Sequence, residues 1–332
     1  MKNDFFVIGA GLAGSEAALT LARSGAKVCL FEQKPKNFSA VHKLSGAAEL
    51  VCSNSFKSTD VNAAHGLLKE ELRLLGSPLI ELAYSARIPG GKSLSVDREK
   101  FSQAVTAAIG SEKNIDFRCE QTSELPENIP TLIATGPLTS QNLIEKILKL
   151  CGDDGLYFYD ATSPVVELSS LDLSKFFWAS RNEDSADYLN LPLDRHEYHN
   201  FRNQVLAAEK VESHLNEDLK FFEGCLPIEV LAERGEETLA YSCMKPIGFE
   251  AHLPKKAHAI IQFRREKAAG ELLSMVGFQT RMKWPEQERV FRLLPGMENA
   301  VFARLGAMHR NTFINAPQHL NDHLQLKVSP TI

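Results

Sequence analysis

The sequence predicts an α/β fold in which a parallel-sheet domain is interrupted by a mixed α+β insertion. Three observations carry that expectation. A buried strand, a glycine turn, a helix and a second buried strand follow one another within the first 32 residues. A further buried strand stands at residues 131–134 and ends at a glycine. After Cys151 the texture changes: strand-like and helix-like segments mix, and loops carry Pro164, Pro192, Pro227 and Pro246.

Phe5-Phe6-Val7-Ile8 is an apolar run of strand formers that stops at Gly9. Over residues 12–24 the period becomes helical, with Ala13, Ala17, Ala18, Leu21 and Ala22 on one small-residue face and Gly25 closing it. Lys27-Val28-Cys29-Leu30-Phe31 returns as a buried strand, which makes a βαβ opening with parallel strands. Residues 62–75 are expected as a helix carrying Leu67, Leu68, Leu72 and Leu75. Residues 97–109 form another, capped by Asp97, with Phe101, Val105 and Ala108 inward. Thr131-Leu132-Ile133-Ala134 runs into Thr135-Gly136-Pro137, and residues 140–150 are helical. Beyond Cys151, strands are expected near 156–159 and 239–243 and charged helices near 199–219. Short apolar runs such as Val301-Phe302-Ala303 mark a return to the first domain. The expected domains are therefore 1–164, an insertion over 165–290, and the return at 291–332.

A chain of 332 residues, 44% hydrophobic and 24% charged, can bury a full core and fits a globular protein. The net charge of -5 argues against wholesale electrostatic binding of nucleic acid but leaves room for a local basic patch. Cys29, Cys52, Cys119, Cys151, Cys225 and Cys243 show no CxxC pairing, so neither a metal site nor a disulfide framework is expected. No stretch approaches the ~18 apolar residues of a membrane span. The glycine-interrupted N-terminus lacks the apolar core of a signal peptide. A cytoplasmic location follows as the expectation.

Gly9-Ala10-Gly11-Leu12-Ala13-Gly14 is a GxGxxG motif placed after a strand and opening a helix. In that setting the first glycine permits the tight turn, the second lets backbone approach a pyrophosphate, and the third lets helix and sheet pack closely. The helix N-terminus then offers free N–H groups and a partial positive charge to phosphates. Glu32 ends the second strand, 23 residues after Gly9, where an acid can accept hydrogen bonds from ribose hydroxyls. The pattern predicts a Rossmann-like domain that binds a dinucleotide. The strand ending in Ala134-Thr135-Gly136 resembles the second signature of flavoproteins with two dinucleotide domains, which favours FAD.

Further segments are more particular. They are Ala48-Glu49-Leu50-Val51-Cys52-Ser53-Asn54-Ser55, Gly66-Leu67-Leu68-Lys69-Glu70-Glu71, Pro89-Gly90-Gly91 with Val96-Asp97-Arg98, Ala134-Thr135-Gly136-Pro137-Leu138-Thr139-Ser140, Tyr157-Phe158-Tyr159-Asp160-Ala161, and Phe222-Glu223-Gly224-Cys225-Leu226-Pro227-Ile228-Glu229. The last stretches run from Gly277-Phe278-Gln279-Thr280 to Met308-His309-Arg310-Asn311-Thr312-Phe313-Ile314-Asn315. Together they resemble the folate- and FAD-dependent tRNA (uracil-5-)-methyltransferases, the TrmFO family, a relative of GidA. The resemblance runs from the first strand to about Pro317.

The resemblance implies formation of 5-methyluridine in the T-arm of tRNA. The carbon comes from 5,10-methylenetetrahydrofolate, reduced FAD supplies the reducing equivalents, and NAD(P)H reloads the flavin. A branch of the family acts on ribosomal RNA. Uracil C5 is a poor nucleophile until a group adds at C6, a task that suits a cysteine thiolate. Two cysteines match family positions: Cys225 is expected as the nucleophile and Cys52 as the second active-site thiol. A flavin that carries the methylene itself would lessen the need for either. Cys29 reads as core. His309 matches the position expected to stack on the pterin ring against the flavin, and Asn311 is expected to hydrogen-bond the same ligand. An imidazole can also exchange protons near neutral pH.

Arg281, Lys283, Arg289 and Arg292, interleaved with Trp284 and Phe291, form the best basic and aromatic cluster. It reads either as a phosphate-contacting face with a base-stacking ring or as a solvated, salt-bridged surface. Lys57 and Lys245 lie near the active-site motifs and are candidates for steering RNA or a folate tail. The resemblance also implies a strand, glycine-rich turn and helix beyond Ile332 that complete the pyrophosphate site. Without them the parallel sheet would show an open edge. Two other functions stand beside methylation: a small-molecule flavin oxidoreductase with the insertion as substrate cap, and a non-catalytic nucleotide- or RNA-binding remnant.

Overall fold

The structure is a computed structural model that describes residues 3–39, 41–152, 156–212, 220–253 and 257–332. The chain begins with β1 (Phe5–Ile8), α1 (Leu12–Arg23), β2 (Val28–Phe31), β3 (Ser55–Ser58), α2 (Ala64–Leu74), α3 (Pro78–Ser85), β4 (Arg87–Ile88), β5 (Ser93–Val96), α4 (Arg98–Ser111), β6 (Ile115–Arg118), β7 (Thr131–Ile133), α5 (Gln141–Cys151) and β8 (Leu156–Ala161). It continues with β9 (Val165–Glu167), β10 (Phe177–Trp178), β11 (Tyr188–Leu193), α6 (Arg195–Ala207), α7 (Ile228–Glu233), α8 (Thr238–Tyr241), β12 (Ala259–Arg265), β13 (Leu272–Met275), α9 (Trp284–Phe291), β14 (Phe302–Arg304), β15 (Met308–Phe313) and α10 (Ala316–His319).

The expected βαβ opening forms. β1 pairs in parallel with β2 on one side and β7 on the other, and β6 extends the sheet beyond β2. All of β2 is buried, as an inner parallel strand covered on both faces requires. Cys29 is fully buried there, the inert core role expected of it. Helix α1 buries Gly14, Ser15, Ala18, Leu19 and Ala22. The inward stripe is thus set by Leu19 rather than Leu21, and Ala13 is exposed. Helix α4 is capped by Asp97, whose carboxylate accepts from the backbone N–H of Glu99 and Lys100 at 3.1 Å each. β7 is an edge strand of this sheet, and its Thr131 N–H donates to the Thr331 carbonyl at 2.8 Å.

The second body is a six-stranded sheet of order β10-β11-β12-β13-β9-β14 over a core in which Tyr198 and Phe201 of α6 meet Phe278 and Phe291. Helix α6 starts at a capping box: Glu197 N–H donates to Asp194, and Asp194 N–H donates to Glu197, both at 2.8 Å. Between the two bodies, β8 and β15 form an antiparallel ribbon that sets His309 opposite Asp160 and Asn311 opposite Phe158.

Some expectations are corrected. Residues expected as a strand near 239–243 form the helical turn α8, whose Leu239 and Ala240 are buried while Tyr241 is exposed; that spacing suits a turn rather than two-fold alternation. The helix at 62–75 forms as α2, but Leu67, Leu68 and Leu75 are 49%, 54% and 83% exposed, and its buried positions are Gly66 and Lys69. Lys69 can be buried because Nζ donates to the carbonyls of Phe56 and His65 at 2.7 and 2.6 Å. The helix expected near 199–219 runs only to Ala207; residues 213–219 lie outside the described ones. The apolar run at 301–303, expected to mark the return to the first domain, lies at β14, which pairs with β9 at the edge of the six-stranded sheet rather than joining the parallel one.

Candidate active site

A cleft opens at the carboxyl end of β1, where Gly9, Ala10 and Gly11 face Glu32, Lys34 and Thr135. Gly9 has φ +99°, a conformation side chains rarely adopt, and a Cβ there would lie 2.7 Å from the Ala134 carbonyl oxygen. A Cβ on Gly14 would stand 1.8 Å from the Gly9 carbonyl oxygen, so helix and loop meet backbone to backbone. Gly11 differs: its Cβ would meet nothing closer than the Ala134 oxygen at 3.9 Å. The fold therefore does not demand glycine at position 11, whereas a pyrophosphate lying against α1 does. Gly11 is the N-cap of α1 and no side chain caps that helix, which leaves its first-turn N–H groups to an anion. These residues fit the ADP half of a dinucleotide. Leu12 and Ala13 are exposed on the first turn outside the cleft wall, and Gly14 is buried beneath it.

Glu32 is more constrained than expected. One carboxylate oxygen accepts from Ala10 N–H at 2.9 Å and the other from Lys34 N–H at 3.1 Å. It holds the glycine loop in place and keeps its remaining lone pairs for a ribose. Thr135 lines the cleft and shares a 2.5 Å hydroxyl contact with Thr139. Gly136, at φ +66°, turns away into a neighbouring apolar cavity. The Ala47-Ala48 turn is tied to the glycine loop by Ala48 N–H donating to the Ala10 carbonyl at 2.8 Å.

That turn leads directly to Cys52. Arg98 Nη1 donates to the carbonyls of Leu50 and Val51 at 2.8 and 2.6 Å, and the same guanidinium pairs with Glu266 at 2.7 Å. Fully buried Asn54 donates to the carbonyls of Val96 and Arg265, and Ser53 Oγ accepts from Arg264. Residues from both bodies thus clamp the Cys52 loop. Cys225 arrives from elsewhere, on the turn Glu223–Cys225. That segment is docked by Tyr159 N–H donating to the Lys220 carbonyl at 2.6 Å and by the Phe158 and Phe222 rings at 6.0 Å. Gln279 Nε2 donates to Cys225 Sγ at 3.5 Å.

The two thiols and His309 converge on one carboxylate that sequence reasoning did not single out. Cys52 Sγ lies 3.8 Å from Asp160 Oδ2, and Cys225 hydrogen-bonds the same carboxylate. Cys52 Sγ, an Asp160 oxygen and a His309 ring nitrogen all lie within 4.8 Å of one another. The available signal was the lone carboxylate in the aromatic strand Tyr157-Phe158-Tyr159-Asp160. Burial first, then the Asp160 charge, pushes Cys52 up to about 12 and Cys225 up to about 11. Both are therefore thiols at neutral pH. His309 is 8% exposed, its Nδ1 has no partner, and burial pulls its pKa down, so the imidazole is neutral there. Asn311, two residues along the same strand, is buried with Oδ1 unpartnered. His42, on the cleft wall, is close enough to His309 that a charge on one imidazole would disfavour a charge on the other, which places the thiol cluster next to the dinucleotide cleft.

The basic cluster takes its salt-bridged form. Lys283 pairs with Glu209 at 2.8 Å, Arg289 with Glu286 at 2.8 Å and Arg292 with Glu288 at 3.0 Å, while Arg281 lies over the Phe221 ring. Phe291, expected as a stacking ring, is fully buried in the core; Trp284 is 63% exposed. A second group of titratable side chains, His199, Glu237 and His258, sits at the surface of the six-stranded body. Its nitrogens already have partners: His258 Nε2 meets Glu237 at 2.8 Å, and His199 Nε2 accepts from Arg195 at 3.3 Å. Lys57 and Lys245 are both exposed, and the Lys57 charge acts on Cys225.

Comparison with known proteins decides the family. The model of glucose inhibited division protein A, GIDA, matches residues 4–332. The methylenetetrahydrofolate–tRNA-(uracil-5-)-methyltransferase TrmFO of Geobacter sulfurreducens is 50% identical over 327 residues, covering 98% of this chain and 75% of that protein. Its namesake from Aquifex aeolicus is 49% identical over 334 residues, covering 100% of this chain and 75% of the relative. The chain belongs to the TrmFO family. It spans about three quarters of the length of these relatives. The GidA structure from Aquifex aeolicus matches 98% of this chain and 58% of its own, with a TM-score of 0.71 at 15% identity, which shows a shared fold. Among the described residues no helix is long and apolar enough to cross a membrane.

Two contacts in this chain make measurable predictions. Arg98→Ala should cost about 3–5 kcal/mol in denaturant unfolding, because it strands buried Glu266 and two loop carbonyls. A loss below about 1 kcal/mol would mean the clamp adds nothing. Glu229, fully buried, accepts from Thr280 Oγ1 and from Met282 N–H. Burial raises its pKa, so its contribution is intact below the unfolded glutamate range and declines as pH rises toward the folded value. Glu229→Gln keeps the acceptor and removes the titration. Its stability relative to the parent should therefore improve between about pH 4 and pH 7. A pH-independent difference would contradict that assignment.

Proposed function

We propose that this protein methylates C5 of uridine in the T-arm of tRNA. The carbon donor is 5,10-methylenetetrahydrofolate, FAD occupies the β1 cleft, and NAD(P)H is the electron source. The observation that carries this reading is the convergence of Cys52, Cys225 and His309 beside a dinucleotide cleft, from three parts of the chain far apart in sequence. When bound, the flavin supplies the reducing equivalents that turn a methylene into a methyl group.

The chain's own residues supply the rest. Gly9, Gly11, Gly14 and Glu32 hold the ADP half of the cofactor, with Thr135 on the opposite wall of the cleft. Cys225 adds to C6 of the uracil, which makes C5 nucleophilic. Cys52 is the second thiol. His309, neutral and buried, presents a ring face for a heteroaromatic ligand, and Asn311 beside it offers an unpartnered amide oxygen to that ligand. Lys57, whose charge acts on the Cys225 thiol, is suited to a phosphate or a folate carboxylate. Arg281, Lys283, Arg289 and Arg292 are assigned to the RNA phosphates, which would have to compete with the carboxylates that Lys283, Arg289 and Arg292 now meet.

The test is direct. Purified protein should be yellow, and should convert uridine to 5-methyluridine in a T-loop RNA when given methylenetetrahydrofolate and NADPH. Flavin without methylation would overturn the reading in favour of a small-molecule oxidoreductase. Colourless protein that still binds RNA would reduce it to a binding remnant.

A further inference from the structure

Asp160 stands at the centre of the thiol cluster, and neither the strand pairing of β8 nor the dinucleotide cleft requires a carboxylate there. One oxygen is fixed by Ala161 N–H, which donates to Oδ1 at 2.8 Å. The other, Oδ2, faces Cys52 Sγ at 3.8 Å. Cys225 bonds to the same carboxylate from the docked turn, and His309 lies opposite across the ribbon. The nearby cations serve other groups. Arg98 is committed to Glu266 and the Cys52 loop, and the Lys57 charge acts on Cys225.

We propose that Asp160 is the proton relay of the methyl-transfer site, taking the thiol proton of Cys225 as its sulfur adds to uracil and returning it when the sulfur leaves. This rests on the uridine-methylation reading. In the addition, the S–C6 bond forms and the S–H bond breaks. The C5=C6 electron pair moves toward O4 as an enolate, and the proton passes to Asp160 Oδ2. In the release, after C5 has given up its own hydrogen as a proton to the amine nitrogen of the departing tetrahydrofolate, the C5-methylated enolate re-forms C5=C6, the C6–S bond breaks with its electron pair going to sulfur, and the proton returns from Asp160. A concerted handover suits these surroundings, because burial and the Asp160 charge disfavour a free thiolate. Asp160 touches both sulfurs, so it serves Cys52 in the same way.

The groups facing Cys225 are Asp160, Lys57 and Gln279; those facing Cys52 are Asp160, Cys225, Arg98 and the His309 imidazole, with Arg304 nearby. Replacing the carboxylate therefore predicts two opposite changes. In the full chain, Asp160→Asn should lower the methylation rate by about 100-fold or more. The same variant should make the thiols easier to ionise, so the pH midpoint for iodoacetamide alkylation of Cys225 and Cys52 moves down by about one unit. A purely structural residue would not move that midpoint. Asp160→Glu, which retains the charge, should keep the parental midpoint and recover part of the rate; it also covers the case in which the amide variant fails to fold. Methylation within about threefold of the parent, or an unmoved midpoint in Asp160→Asn, overturns the relay. Alkylation needs neither RNA nor folate, so the two readings fail separately. A parent protein that never methylates RNA sinks the function and the relay together. A parent that methylates, with an unmoved Asp160→Asn midpoint, sinks the relay alone.

Discussion

Cys225→Ala is expected to abolish 5-methyluridine formation, by about a thousand-fold or more, while leaving the flavin bound. The size follows from the chemistry: without sulfur addition at C6 there is no enolate at C5, and about 4 kcal/mol of barrier corresponds to a thousand-fold in rate. The sparing of the cofactor follows from the geometry. Cys225 sits on the turn Glu223–Cys225 and is absent from the cleft wall, where Gly9, Gly11, Glu32 and Thr135 stand. Its contacts are Gln279 and Asp160, neither of which supports the glycine loop. Rates of methylation and the flavin absorbance of the same preparation check both halves. Retained turnover would remove Cys225 from the nucleophile role. Loss of flavin together with turnover would show that the turn shapes the cleft in a way the contacts do not account for.

The second large effect is a contrast between two glycines of one motif. Gly14→Ala places a methyl group 1.8 Å from the Gly9 carbonyl oxygen, so helix α1 and the loop must separate. Overpacking of this kind costs typically about 1–3 kcal/mol, and the displaced loop should weaken dinucleotide binding by at least about 100-fold. Gly11→Ala meets nothing closer than 3.9 Å, so thermal stability should stay within about 0.5–1 kcal/mol of the parent. Yet the same methyl group projects where the pyrophosphate must approach, so cofactor affinity should still fall. Flavin titration and denaturant unfolding of both variants separate the two roles. Equal stability losses would mean that Gly11 is structural after all; unchanged affinity in Gly11→Ala would place the pyrophosphate elsewhere.

The parts of the fold that were legible in the sequence are those governed by local rules. The run Phe5-Phe6-Val7-Ile8, the glycine turn and the helix behind it follow from side-chain period and backbone freedom, and they form as expected. The N-cap at Asp97 belongs to the same class. Where local signals were weak, tertiary context decided. Residues 238–241 are short and apolar enough for either strand or helix, and the core around Leu239 took them as a helical turn. The leucines of α2 promised a buried face, but Lys69 found carbonyl partners and went in instead, leaving Leu67 and Leu68 outside. Strand β14 carries no mark that distinguishes one sheet from another, and its partner β9 was set by long-range pairing.

The candidate site divides along the same line. By itself the sequence determined the dinucleotide cleft, because a GxGxxG turn acts through its own backbone, and it identified Cys52, Cys225 and His309 through motif resemblance. Only the tertiary structure decided that these three meet at Asp160, that their surroundings hold both thiols protonated and the imidazole neutral, and that Lys283 of the basic cluster is paired with Glu209. The reason is physical: proton affinities depend on burial and on neighbours more than a hundred residues away in the chain, such as Asp160 to Cys52, and no local pattern encodes them.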